Sequence, residues 1–176
     1  MKPRVGISRC LLGDDVRYDG TNKRSSAVQA LAGDVEWVPV CPEVEVGMGV
    51  PREPIQLVGH AGGVASAGEH VLLRGVHTNA DWTARMHAWA HARAAELIAD
   101  RISGFVLKAR SPSCGPAGVL VHHPDGDATA SGRGLFAEAL ATAMPGLPLI
   151  DEEALEDPRE RNRFMREVLA FARLRR

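Results

Sequence analysis

Three cysteines, Cys10, Cys41 and Cys114, are the residues of this chain with the clearest capacity for chemistry. A cysteine taken alone is usually a small buried hydrophobe. These three share a setting that argues for more. Each follows a short apolar run that reads as a strand, at residues 5–8, 35–40 and 105–107, and each falls in a turn. Pro42 follows Cys41, and Ser113 and Gly115 flank Cys114. Glycine lets backbone N–H groups approach a sulfur, which stabilises thiolate charge and tunes a metal cluster.

Three thiolates have several uses. A structural zinc wants a fourth protein ligand, and His122 and His123 are the candidates. A cysteine nucleophile needs one thiolate and a histidine base, which leaves two cysteines unexplained. A 4Fe-4S cluster held by three cysteines keeps one iron without a protein ligand, free to act as a Lewis acid. With no compact Cys-x-x-Cys pattern, spacing leaves these uses open. The odd cysteine count argues against structural disulfides.

The elements that must position the cysteines alternate between short buried strands and helices. After the first strand comes a helix at residues 25–31, with Ser25 or Ser26 as its cap. Residues 42–54 read as a Gly- and Pro-rich loop, and residues 55–58 and 70–73 as a β-hairpin around Gly59 to Gly63. The longest helical pattern spans residues 78–101, with Thr78 and Asp81 as a capping box and Trp82, Met86, Trp89 and Leu97 near one face. A helix at 135–144 and a strand at 148–150 follow. The last helix, about 157–175, has Asp157 as cap, Pro158 at its first position and Glu160 three residues on. Phe164, Met165, Val168, Phe171 and Ala172 form its apolar stripe. The alternation predicts an α/β fold, a mostly parallel sheet with helices on both faces. Ligands in such sheets bind beyond the carboxyl ends of the strands, where all three cysteines are expected to converge. Their sulfurs are expected within about 7 Å of one another when a cluster is bound.

The 176 residues form one expected domain, 1–176. A net charge of −1 removes the electrostatic footprint of a nucleic-acid binder, so a large nucleic acid is not an expected partner. No apolar run reaches the ~18 residues of a membrane span. The start lacks the pattern of a signal peptide, and a cytoplasmic protein is expected. His87 and His91 lie four apart, but Ala88 breaks the His-Glu-x-x-His pattern, and they read as surface residues. Lys23-Arg24 reads as a solvated pair, and the Gly-rich stretches 59–63 and 126–134 read as turns, because neither carries the P-loop ending.

Several blocks occur together and in order: Ser8-Arg-Cys10-Leu-Leu-Gly13, Val16-Arg-Tyr-Asp-Gly20, Cys41-Pro-Glu43-Val, Gly47-Met-Gly-Val-Pro51-Arg52 and Leu107-Lys-Ala-Arg-Ser111-Pro-Ser-Cys114-Gly115. As a set they resemble the bacterial thiouracil desulfidases, formerly a domain of unknown function, over residues 4–150. The last helix lies outside the match. The resemblance implies that Cys10, Cys41 and Cys114 hold a 4Fe-4S cluster with one open iron. It also implies non-redox removal of sulfur from a thiolated uracil, giving uracil and hydrogen sulfide. Longer relatives acting on thiouridine in tRNA carry an additional domain that this chain is expected to lack.

The chemistry this would demand is arguable on its own terms. A soft thiocarbonyl sulfur prefers an open cluster iron to a hard cation. Water must then attack the ring carbon, which calls for a general base. Glu43, two residues from Cys41, is the first candidate. Glu45 is the reserve, since alternate residues of an extended segment share a side. Ser111 is a catalytic candidate that positions the water or the pyrimidine. Ser113 and Arg52 are candidate substrate contacts, with turn capping and a structural ion pair as their rival roles. Lys108 and Arg110 are placed to offset cluster charge. Two other classes stay open: a non-enzymatic zinc or iron–sulfur module, and another open-cluster hydrolyase such as a dehydratase. The Cys-x-x-x-Cys-x-x-Cys run of radical enzymes is absent.

Overall fold

Strand β1 (Arg4–Ser8) lies between β2 (Glu36–Val40) and β5 (Phe105–Leu107), and β8 (Leu149–Asp151) completes a four-stranded sheet in the order β2-β1-β5-β8. Every pairing in this sheet is parallel. The computed structural model describes residues 2–59 and 71–175. The central strands carry the near-continuous apolar runs expected of strands covered on both faces. Because side chains alternate along a strand, Phe105 and Leu107 join one core and Val106 the other.

The first core packs α3 (Thr83–Ala99) and α4 (Leu135–Ala143) against Val38, Val40, Phe105 and Leu107. The second packs α1 (Ser26–Gln29) and α5 (Pro158–Leu174) against Val5, Ile7, Val106 and Ile150. Helices therefore cover both faces of the parallel sheet, as expected. The Ser25 hydroxyl caps α1 by accepting from the Val28 N–H. Asp157 caps α5 through the Arg159 N–H, with Pro158 in the first turn, while Glu160 pairs with Arg163.

A second sheet departs from the expectation of one. Its order is β4-β3-β6-β7, made of β3 (Ile55–Val58), β4 (Leu72–Gly75), β6 (Val119–His122) and β7 (Ala128–Gly132). β3 and β4 pair antiparallel, as the hairpin reading required, with β4 lying slightly later than residues 70–73. The turn expected around His60 lies outside the described residues. The stretch 126–134, expected as turns, instead holds β7, whose Ala-Thr-Ala-Ser-Gly is exposed over its first four residues and shows no apolar alternation.

Two other local readings need correction. Helix α3 begins at Thr83, not Thr78; the Asp81 carboxylate accepts the Thr83 N–H at 2.9 Å, while the Thr78 hydroxyl is bonded to Glu53. Residues 42–45 are not loop but a single helical turn, α2 (Pro42–Glu45). Among the described residues, no helix is long and apolar enough to cross a membrane.

Helix α5 is seated by a close approach. A Cβ on Gly104 would lie 2.6 Å from Val168 and 3.2 Å from the Phe164 ring, so only glycine lets these fully buried side chains settle. Phe164→Ala is expected to lower stability by about 3–5 kcal/mol, the usual range for emptying a buried aromatic site. A urea titration checks this: the midpoint should fall with the slope unchanged.

Candidate active site

Each cysteine is delivered by the end of a parallel strand. Cys10 sits in a 3-10 turn (Arg9–Leu12) directly after β1, rather than in an irregular turn. Gly13 ends it in the left-handed region, φ 106°, and its N–H donates to the Cys10 carbonyl. Cys41 follows β2 as the N-cap of α2. Cys114 ends a loop that leaves β5, in which Ser111 Oγ accepts the Cys114 N–H at 3.1 Å. The Gly115 N–H goes to the Ser111 carbonyl at 2.7 Å and so is spent on the loop. The start of α4 holds the same loop, with the Phe136 N–H on the Ser113 carbonyl at 2.9 Å.

All three cysteines are free, buried and lining one cavity of about 620 Å³. Glu43, Arg52, Lys108, Ser111 and Glu152 line it too. Glu43 is the hub of this wall. One carboxylate oxygen accepts from the Ser113 hydroxyl, and the other lies 3.6 Å from the Cys41 sulfur and 4.0 Å from Arg52 Nη2. Arg52 Nη1 donates to the Val16 and Gly49 carbonyls, both at 2.9 Å, so this guanidinium also ties two loops together.

Glu45 points elsewhere. Its carboxylate accepts the Cys41 N–H at 3.1 Å and lies 3.3 Å from Arg93 Nε. Glu43 and Glu45 would share a side only in extended chain. In a helical turn, residues two apart face different directions. Ser113 is completely buried and does not line the cavity; it supports Glu43 from behind. Lys108 pairs with Glu152 and Arg110 with the exposed Glu153. Lys23 and Arg24 are exposed, as read, but they stand at the rim of this cavity.

His122 ends β6, and His123 Nε2 lies 3.0 Å from the Thr129 hydroxyl on β7; neither lines the cavity. His87 and His91 are on the exposed side of α3. Among the described residues, no three His, Cys, Asp or Glu side chains are gathered tightly enough for a single metal ion. A zinc built on these cysteines and His122 or His123 is therefore unsupported. A cluster spreads its ligands over separate irons and needs a wider set of sulfurs.

Electrostatics favour a metal-bound role for the thiols over a nucleophilic one. Burial, reinforced by the Glu43 charge, pushes the Cys10 thiol up to about 11 and the Cys41 thiol up to about 12. Burial and Glu43 also raise the Cys114 thiol well above its usual value, while the Ser8 side chain opposes them. Such thiols keep their protons at neutral pH, and no described histidine lines the cavity to remove one. Only a strong positive charge among the sulfurs would hold three thiolates there, and a metal centre supplies one. The donor set therefore fits an iron–sulfur cluster.

Ser8 and Glu152 carried no site role in the sequence reading. A signal for Glu152 existed in the strand pairing: Leu107 is in register with Asp151, which sets Lys108 beside Glu152. It required knowing that β8 neighbours β5.

Residues 5–152 match the family model described as 2-thiouracil desulfurase. The chain is 29% identical over 151 residues to the uncharacterized protein YbbK of Bacillus subtilis strain 168, covering 86% of this chain and 97% of that one. It is similar in fold to the solved 4Fe-4S-dependent thiouracil desulfidase TudS, with a TM-score of 0.66, 30% identity and coverage of 88% and 94%.

The Cys114 loop depends on a missing side chain. A Cβ on Gly134 would stand 2.4 Å from the Ser113 carbonyl carbon and oxygen and 2.6 Å from the Cys114 nitrogen. Backbone cannot yield as a flexible side chain does. Gly134→Ala is therefore expected to cost about 1–3 kcal/mol. It should also expose Cys114 to a thiol reagent under native conditions, read as faster modification than in the wild-type apo protein.

Proposed function

Because the chain belongs to the 2-thiouracil desulfurase family, we propose that it removes sulfur from a thiolated pyrimidine without redox chemistry. The substrate is thiouracil or its nucleoside or nucleotide, and the products are the uracil form and hydrogen sulfide. The observation that carries this reading is one cavity lined by three buried cysteines, with the Glu43 carboxylate 3.6 Å from the Cys41 sulfur. Cys10, Cys41 and Cys114 are the proposed holders of a 4Fe-4S cluster. When bound, it supplies an iron lacking a protein ligand, a soft Lewis acid for a thiocarbonyl sulfur.

The chain's own residues supply the rest. Glu43 accepts a proton from water as that water adds to the ring carbon that bears sulfur. The adduct then collapses: the C–S bond breaks, the carbonyl forms, and the sulfur leaves with both protons as hydrogen sulfide. Ser113 spends its proton on Glu43, so Ser111 is the donor across the 3.1 Å gap to Ser113. Ser111 thus links the cavity through Ser113 to Glu43, a path along which the water's proton is oriented. Arg52 stands 4.0 Å from the Glu43 carboxylate, on the cavity wall where it can also meet a substrate carbonyl.

Two experiments test this. After anaerobic reconstitution, Cys10→Ser, Cys41→Ser and Cys114→Ser should each retain less iron and sulfide per chain than wild type. His122→Ala and His123→Ala should retain the wild-type amounts; iron loss from either histidine variant would mean a closed or zinc-type site. Glu43→Gln keeps shape and hydrogen bonding but cannot take up the proton. It should fold, keep its cluster and bind thiouracil, while sulfide release falls by on the order of 10²–10⁴-fold. Equal rates in the loaded wild type and variant would place the base elsewhere.

A further inference from the structure

The Lys108–Glu152 ion pair lines the same cavity as the three cysteines, and no step above uses it. Its side chains are only 19% and 12% exposed. Withdrawing two charges this far from water is costly, and stability alone is a weak reason to keep them there. The pair is held rigidly. Glu152 Oε2 accepts the Ala109 N–H at 2.7 Å, and Oε1 accepts from Lys108 Nζ. Lys108 Nζ donates in turn to the Ala109 carbonyl at 3.2 Å, while the Lys108 N–H is fixed on Ser8 Oγ at 3.0 Å. An ammonium has three N–H donors, and a carboxylate has about four acceptor sites. Among the described residues, these bonds leave one Lys108 donor and one acceptor site on each Glu152 oxygen unspent. A donor and an acceptor therefore stand side by side on the cavity wall.

Such an edge is complementary to the C=O and N–H of a lactam. 2-Thiouracil and 4-thiouracil both carry one, because sulfur replaces a single oxygen and leaves the other carbonyl beside N3–H. A ribose on N1 leaves that edge open as well. A thiocytosine presents the reverse pattern, an acceptor at N3 beside an amino donor. We propose that Lys108 and Glu152 are the specificity-determining residues that read the lactam edge, Lys108 donating to the ring carbonyl and Glu152 accepting the N3 proton. The carbonyl oxygen has two lone pairs, so this contact does not compete with one from Arg52. The inference rests on the thiopyrimidine reading above. A thiocytosine sets donor against donor and acceptor against acceptor, and a site built to pair a substrate N–H rejects an analogue that cannot supply it.

The test uses the full chain, reconstituted anaerobically, as wild type, as Glu152→Gln and as the double variant Lys108→Met with Glu152→Leu. The double variant removes the pair together and leaves no lone charge buried, so it carries the comparison even where Glu152→Gln perturbs folding. Two ratios are measured: kcat/KM for sulfide release from 2-thiouracil against 2-thiocytosine, and the affinity for uracil against cytosine by equilibrium dialysis. Wild type is expected to favour the uracil form about 10–100-fold in both, the worth of hydrogen bonds to charged groups. Both ratios should fall at least about tenfold in the variants. Thermal unfolding of each chain reads the fold separately. Variants that melt earlier, or lose rate on both substrates equally, with unchanged ratios make the pair merely structural and overturn the inference. A wild type that releases sulfide but treats the two bases alike overturns it as well. A wild type that releases no sulfide yet prefers uracil through this pair supports the inference and overturns the desulfuration reading alone.

Discussion

The parallel pairing of β1 with β2 and β5 is the constraint on which everything else depends. The register sets Ser8 opposite Val40 and Ile7 opposite Val106, so three strands end at one level of the sheet. Cys10 and Cys41 follow those ends almost at once, and Cys114 closes the loop that leaves β5. A parallel sheet points all its carboxyl ends the same way, and residues separated by a hundred positions can share one cavity without a long excursion of the chain. The cores on the two faces hold this alignment: Phe105 and Leu107 anchor β5 to α3 and α4, and Val106 anchors it towards α5.

The cavity wall is an electrostatic compromise. Glu43 is a nearly buried carboxylate set among three buried thiols, an arrangement that low dielectric makes expensive for any negative charge. The chain offsets it with the Ser113 hydroxyl and Arg52 at Glu43. Those groups steady the carboxylate but leave the thiols strongly protonated, with Cys41 near 12. The balance is incomplete in the protein alone, and it closes when positive charge enters among the sulfurs. A protein that used a cysteine as nucleophile would place its cations and a base against one sulfur. Here the main anionic partner, Glu43, raises all three.

Loop geometry then assigns different work to neighbouring residues. Pro42 starts a helical turn immediately after Cys41, and the turn separates two carboxylates that look equivalent in sequence. Glu43 faces the sulfurs, and Glu45 reaches back to the Cys41 N–H and across to Arg93. The serines divide in the same way: Ser111 meets the cavity and caps the Cys114 loop, while Ser113 is sealed behind it. Both divisions follow from a backbone that turns tightly, so that side chains two positions apart diverge.

The sequence by itself determined the α/β alternation, the cysteines placed after buried strands, and the motif set carrying the family resemblance. These are local properties: apolar period, turn residues and short blocks are written in neighbouring positions. It also singled out Glu43, because proximity to Cys41 along the chain survived folding. Only the tertiary structure decided the rest. The β3–β4 hairpin was legible, but its extension into a second sheet by β6 and β7 was hidden, because β7 is largely exposed and lacks alternation. Glu45 and Ser113 left the candidate list of cavity groups because side-chain direction depends on backbone turns that composition does not reveal. Ser8 and Glu152 joined the site because strand register, a relation between segments about a hundred or about forty positions apart, sets each of them against the 107–109 segment. Register is settled by the packing of both faces at once, and no single stretch of sequence contains it.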